Sequence, residues 1–300
     1  MKLKRTALFI PGTAGEDQAR KTIKTCGADI ICLDLEDTVV PERKGEARQS
    51  IVRLLKEDIW GNATRAVRIN AVSSGYAEDD IVEVVGGAGD RVESLLLSKP
   101  ESVDEILWLD DLIEKLRKQH GFTGKIGYVV AVESAFVLTN IDDFASCSPN
   151  VEGLGFAIGD LSTSLGIAVQ EYMNNPEVYP GDLYHFHRSR IVLAARTHGL
   201  WAMDSPWPLV HDLEMLATDA HRGAIMGFNG KLVLVPEQVK TVHKAYRPSD
   251  NELTRAQNLL IDIKAMQDQG LASGVAGGSF IDPVVIAHAK ATLLRGEAPL

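Results

Sequence analysis

Short apolar runs that stop on an ionisable residue recur along the whole chain: ALFIP, DIICLDLED, RAVRIN, SLLLSKPES, IGYVVAVES, GLGFAIGD, LWAMDSP and KLVLVP. Most end on or beside Asp34, Glu36, Asp37, Arg68, Lys99, Glu133, Asp160 or Asp204. A short run rich in Ile, Val and Leu reads as a strand buried on both faces. The runs centre about 32 residues apart, close to the length of a βα unit. The longer mixed stretches between them suit helices. Eight such units predict an α/β chain folded as a (β/α)8 TIM barrel, in which the C-terminal strand ends form one mouth. Charged residues far apart in sequence then converge on that mouth.

A chain of 300 residues holds one barrel and an appendage. The barrel is expected over 1–247 and a C-terminal helical extension or lid over 248–300, packed on the barrel or reaching a neighbouring subunit. Arg247-Pro248-Ser249-Asp250 breaks the chain, and Ser249 or Asp250 can cap a helix over 251–268. The glycine-rich GLASGVAGGSF, 270–280, reads as a hinge or lid, and a last helix follows over 283–294. YMNNPEVYPGDLYHFHRSR, between the sixth and seventh runs, reads as a long loop able to cover the mouth, leading into a helix over 188–198. VVGGAGD reads as a turn.

The net charge of −10 argues against a nucleic-acid partner, which calls for a basic face. No run reaches the roughly 18 apolar residues of a membrane helix, and Ala7 to Ile10 is too short for a secretory signal. Cys26, Cys32 and Cys147 are odd in number and lack metal-type spacing, as expected of reduced thiols in a cytoplasmic protein.

Glu133 and Asp160 end adjacent strands. Two carboxylates so placed suit one hard cation such as Mg²⁺, with water and substrate oxygens completing its shell; ordinary loop carboxylates are the alternative. Arg68 can grip a carboxylate or stabilise an oxyanion, or simply pair with Glu36 or Asp37. Alternation puts Asn70 on the same side of the strand as Arg68. The acids Asp34, Glu36 and Asp37 need cations if buried, and Arg68, Lys99 and a metal are available. Lys99 suits a Schiff base or an ion pair. His185 and His187 form an HxH pair, more in keeping with surface histidines than a metal site.

In order, LFIPG, GADIICLDLEDTVVPERKGEAR, RAVRIN, LLLSKPES, AVESAFVLTN, VEGLGFAIGDLSTSLG, AARTHGLWAMDSPW, GFNGKLVLVPEQV and GSFIDPVV resemble the citrate lyase beta subunit and malyl-CoA lyase family of the HpcH/HpaI aldolase superfamily, over almost the whole chain. The resemblance implies a TIM barrel assembled as a trimer or hexamer. It implies a Mg²⁺-assisted carbon–carbon lyase that makes a 2-oxo acid and an acyl-CoA from substrates such as malyl-, citramalyl- or citryl-CoA. Its metal carboxylates match Glu133 and Asp160, its substrate arginine Arg68, and the acidic pair behind them Glu36 and Asp37. A C-terminal acid, often lent by a neighbouring subunit as general acid/base, matches Asp282. The basic segment that holds CoA phosphates is replaced by TAGEDQAR, so Arg20 and Lys21, with Lys99, are the nearest cations for the cofactor. Ser98 stands where proline is common. A thioesterase on a malyl-CoA-like ester, an aldolase on free hydroxy acids and a noncatalytic subunit are the other functions compatible with these residues.

Overall fold

The computed structural model describes residues 2–169, 171, 179, 181–268, 273–276 and 279–296. Parts of two segments singled out above, 172–178 and 180 of the long loop and 270–272 and 277–278 of the glycine-rich stretch, lie outside the described residues. These residues fall into two compact units, Met1–Val242 and His243–Leu300.

Each apolar run of the first unit becomes a strand: β1 Thr6–Pro11, β2 Ile30–Asp34, β3 Thr64–Ile69, β4 Ser94–Leu97, β5 Gly127–Val132, β6 Val151–Phe156, β7 Trp201–Asp204 and β8 Gly230–Val233. They pair in that order, all parallel, and β8 closes on β1. Continuous apolar strands result because both faces are covered. All of Ile30–Asp34 is buried, with Ile30 and Cys32 in the barrel interior. Inward positions are often small: Ala7, Ala66, Ala131, Gly153 and Gly155. Small residues near the C-terminal ends leave space for a ligand above the packed interior.

The helices supply the outer cover. Helix α1, Glu16–Thr25, follows β1, and α2, Lys44–Lys56, buries Ala47, Ile51, Leu54 and Leu55, a stripe at helical spacing. Gly12 is required at the start of the first βα turn, where a Cβ would lie 2.9 Å from Ala47 Cβ and 2.9 Å from the Asp34 carbonyl oxygen. VVGGAGD is not a simple turn. Gly86 and Gly87 lie inside α3, Ala77–Ala88. A Cβ on Gly87 would come 3.1 Å from the Val52 methyls of α2, and one on Gly86 would come 3.3 Å from His120 Nε2, so each glycine serves the close approach of a neighbouring helix. Helix α4 is Val103–His120. Two short helices, α5 Ala135–Thr139 and α6 Ile141–Ser146, follow β5, and α7, Ile158–Leu165, follows β6. Helices α8, His185–Thr197, and α9, Leu213–Met226, flank β7, and α10, Glu237–Tyr246, follows β8.

In the second unit, α11 spans Asp250–Asp268 and α12 spans Pro283–Gly296. Ser249 caps α11 in a reciprocal box: its backbone N–H donates to Glu252 at 2.8 Å, and the Glu252 N–H donates to Ser249 Oγ at 3.3 Å. The glycine-rich stretch carries two short antiparallel strands, β9 Gly274–Ala276 and β10 Ser279–Ile281, where a hinge was expected.

Candidate active site

At the mouth, parallel register and period-two alternation bring the inward residues of neighbouring strands side by side. Asp34 pairs with Arg68, Arg68 with Leu96, Leu96 with Val129, and Ala131 with Gly155. Above that level lie Ser98, Glu133 and Ala157. With Phe9, Thr38, Asp160, Pro206 and Leu234, they line a cavity of about 210 Å³.

Arg68 forms one wall. Its Nε and Nη2 donate to the two Asp34 oxygens, each at 2.6 Å. Its Nη1 lies 2.9 Å from Glu36 Oε2, a charge contact rather than a well-directed hydrogen bond. The guanidinium stacks 4.9 Å above the Phe9 ring. Asp34 is fully buried and also accepts from Thr38 Oγ1 at 2.6 Å and the Glu36 N–H at 2.9 Å. Burial works against the charge on Arg68, but Asp34 outweighs it and keeps the guanidinium protonated. A guanidinium carries five N–H donors. Three face Asp34 and Glu36, so two remain for a ligand.

Lys99 links the acidic segment to β5. Its Nζ donates to Glu36 Oε1 and, at 2.8 Å, to Asp37 Oδ1. Its backbone N–H donates to Glu133 Oε1. Lys99 is the one non-glycine among the described residues with positive φ, at 47°. A long side chain enters this region only where its surroundings over-determine it, which is common at functional sites. Burial works to lower the ammonium pKa, but Asp37 and Glu36 together raise it above the ordinary lysine value. The Schiff-base reading needs the opposite shift. Burial raises Glu36. It acts the same way on Asp37, where Lys99 overcomes it and the net shift is downward.

Glu133 is only 5% exposed. Burial, with the Asp160 and Glu36 charges adding to it, pushes its carboxyl up to about 7 despite the Lys99 N–H. Asp160 sits in the first turn of α7, exposed, and lines the same cavity. Two carboxylates thus face one cavity, and the buried one is short of positive charge. That fits a hard divalent cation. Among the described residues no three His, Cys, Asp or Glu side chains are placed to hold one metal ion, so the Glu133–Asp160 pair suits Mg²⁺ with water and substrate oxygens rather than a closed zinc site.

Residues 5–236 match the family described as HpcH/HpaI aldolase/citrate lyase. The chain belongs to the HpcH/HpaI aldolase/citrate lyase family. It is 27% identical to an L-malyl-CoA/beta-methylmalyl-CoA lyase of Cereibacter sphaeroides, over 98% of this chain and 94% of the relative. It is 30% identical to the mitochondrial citramalyl-CoA lyase of Homo sapiens, over 97% of this chain and 84% of the relative. Its structure resembles that of a citrate lyase beta subunit from M. tuberculosis solved with oxaloacetate and magnesium. That match has a TM-score of 0.66 and 26% identity, over 82% of this chain and 98% of the other.

In this HpcH/HpaI family member, the mouth gathers Asp34, Glu36, Asp37, Arg68, Lys99, Glu133 and Asp160, but not every charged strand end. Asp204 follows inward-facing Met203 and points outward, where it is fully buried against Arg188 at 3.0 Å and Lys231 at 3.0 Å. Asn70, just past the last β3 residue, does not line the cavity; its side chain bonds Lys44 at 2.6 Å and Asp80 at 2.6 Å. His185 and His187 lie on α8, where a spacing of two cannot put both on one face. Arg20 on α1 is taken up by Glu57, Glu16 and Asp17 at 2.7–2.9 Å, so a phosphate there competes with three carboxylates. Lys21 is exposed. Asp282 lies in the second unit, where its Oδ1 caps α12 by accepting from the Val285 N–H at 2.9 Å. Phe9, Thr38 and Ser98 line the cavity without having been singled out as site residues; stepping by two from Leu96 along β4 finds Ser98.

Proposed function

We propose that this chain is a Mg²⁺-dependent carbon–carbon lyase. It cleaves a 3-hydroxyacyl-CoA of the malyl-, citramalyl- or citryl-CoA type into a 2-oxo acid and an acyl-CoA. The observation that carries this reading is the placement of Arg68 and the Glu133–Asp160 carboxylates around one cavity. Related chains that carry malyl-CoA and citramalyl-CoA lyase names support the substrate class.

Glu133 and Asp160 would hold the cation, which when bound supplies Lewis-acid polarisation of the oxo-acid carbonyl. Asp282 takes the proton of the substrate hydroxyl, the same proton it later returns to the enolate carbon, and Arg68 uses its remaining N–H groups to hold the negative charge that develops on that oxygen. Asp34 and Phe9 fix the guanidinium in position, so it does not reorganise as charge builds. As the C–C bond breaks, its electron pair moves into the thioester enolate and the hydroxyl carbon becomes a carbonyl. Asp282, acting as general acid/base from a neighbouring subunit, delivers a proton to the enolate carbon. Lys99 neutralises Glu36 and Asp37 and holds Glu133 through its backbone N–H. The enzyme is read as a cytoplasmic homotrimer or hexamer. Free Cys26, Cys32 and Cys147 agree with a reducing compartment, and no helix among the described residues is long and apolar enough to cross a membrane.

The acids around Arg20 favour one other reading, an aldolase acting on free hydroxy acids. A substrate panel decides between them, following 2-oxo acid release from malyl-, citramalyl- and citryl-CoA and from the free acids, with Mg²⁺ and with EDTA. Release from a thioester, abolished by EDTA, is expected. Release from free acids alone selects the aldolase, and thioester hydrolysis without oxo-acid release overturns the lyase.

A further inference from the structure

Ser98 follows the last β4 residue. Leu96, two positions before it, faces the barrel interior, so the pleat turns Ser98 inward as well. Both line the cavity that holds Arg68, Glu133 and Asp160. Ser98 is 4% exposed, and among the described residues its Oγ has no hydrogen-bond partner. The contrast with neighbouring hydroxyls is sharp. Thr38 Oγ1 on the same cavity is committed to Asp34 at 2.6 Å, and Ser162 and Ser134 both have partners. A buried hydroxyl left unpaired is destabilising, and such groups are rare unless a ligand or water meets them. Polar side chains also line this cavity, Thr38, Arg68, Glu133 and Asp160, but none of them hydrogen-bonds Ser98 Oγ.

We propose that Ser98 is a substrate-binding residue, its Oγ–H donating to an oxygen of the 2-oxo acid held between Arg68 and the Glu133–Asp160 pair. Arg68 and Ser98 then approach the oxo acid from adjacent strands, one with charged donors and one with a neutral donor. The neutral donor adds selectivity. An oxo acid that presents an oxygen to Ser98 satisfies the hydroxyl, and one that presents a methyl leaves it buried and unpaired. This assignment rests on the lyase reading.

The test is calorimetric binding of glyoxylate, pyruvate and oxaloacetate to the Mg²⁺-loaded protein, in wild type and Ser98→Ala, together with Mg²⁺ titration and ligand-free melting. In Ser98→Ala the affinity for the best oxo acid is expected to fall about five- to tenfold, the size of one neutral hydrogen bond. Mg²⁺ affinity is expected to stay unchanged. The ligand-free variant is expected to melt about 2–4 °C higher, because an unpaired hydroxyl has been removed. The two effects have opposite signs, and a purely structural serine would not produce them together. Unchanged oxo-acid affinity in Ser98→Ala means that the hydroxyl meets only water and overturns the proposal. A lower melting temperature with parallel loss of Mg²⁺ and oxo-acid binding assigns Ser98 to packing and also overturns it. If wild type binds Mg²⁺ but none of the three oxo acids, the lyase reading fails and this assignment fails with it.

Discussion

Arg68 and Asp34 face each other across adjacent strands in register, joined by two parallel hydrogen bonds of 2.6 Å. Asp34 is fully buried, so the pair is a fixed fork that aims the rest of the guanidinium at the cavity. Replacing Arg68 by Ala removes the oxyanion donors and is expected to lower kcat by about 10²–10³. It also leaves Asp34 buried without its cation, a loss of about 3–5 kcal/mol in urea unfolding. Asp34→Asn keeps the shape and loses the charge. Steady-state kinetics should show a fall in kcat larger than any rise in KM, since the arginine is misaimed rather than lost. An unchanged kcat would show that Asp34 does not position Arg68.

Glu133 makes stability depend on pH. Its folded pKa of about 7 lies above the ordinary 4.5. The unfolded chain therefore releases this proton first as pH rises, and stability that is complete below about pH 4.5 drains away until pH 7. The full difference is about 3 kcal/mol. Thermal melts of metal-free protein should show this loss, and Glu133→Gln should remove the slope. Mg²⁺ needs the deprotonated carboxylate, so its affinity should rise through pH 7, and saturating Mg²⁺ should restore the lost melting temperature above that pH.

Lys99 is held protonated by Glu36 and Asp37, so it should not form a Schiff base. Borohydride added during turnover is expected to cause no loss of activity and no mass increase on Lys99. A reduced adduct on that residue would reverse its role. Lys99→Ala releases two acids from their shared cation and unties the turn that holds Glu133. A drop in Mg²⁺ affinity is the expected result, read by titration calorimetry.

Lys231 donates to Asp204 at 3.0 Å and Asp219 at 2.5 Å, while Arg188 holds the other oxygen of each. Burial works against the Asp219 carboxylate, but Lys231 and Arg188 overcome it and hold its pKa below the usual range. Lys231→Met leaves two buried acids sharing one arginine, with an expected loss of about 3–5 kcal/mol in denaturant unfolding. A change below about 1 kcal/mol, the value of an exposed pair, would mean that water enters this network.

The barrel itself was legible because both faces of each strand are covered, which leaves uninterrupted apolar runs at a βα spacing. The gathering of Glu36, Asp37, Arg68, Lys99, Glu133 and Asp160 follows from their position at strand ends. Three other readings differ from the structure for local reasons. Asp204 ends its run like the others, yet it follows inward-facing Met203 by one residue and so takes the opposite face. Asn70 lies one residue past Ile69, as Ser98 and Glu133 lie one past their strands, but it does not line the cavity because its amide is taken by Lys44 and Asp80. VVGGAGD has turn composition, but two of its glycines are consumed by helix–helix approach.

By itself, then, the sequence determined how many barrel strands form, their order and most of the charges near the mouth, because burial of apolar runs and local capping are encoded over a few residues each. Only the tertiary structure decided that Asp34, rather than Glu36 or Asp37, takes the arginine fork, that Arg20 is surrounded by acids, and that Ser98 carries an unpaired hydroxyl into the cavity. Those outcomes depend on strand register and on distances between groups as many as 37 positions apart, as with Arg20 and Glu57. Such distances exist only once the barrel has closed.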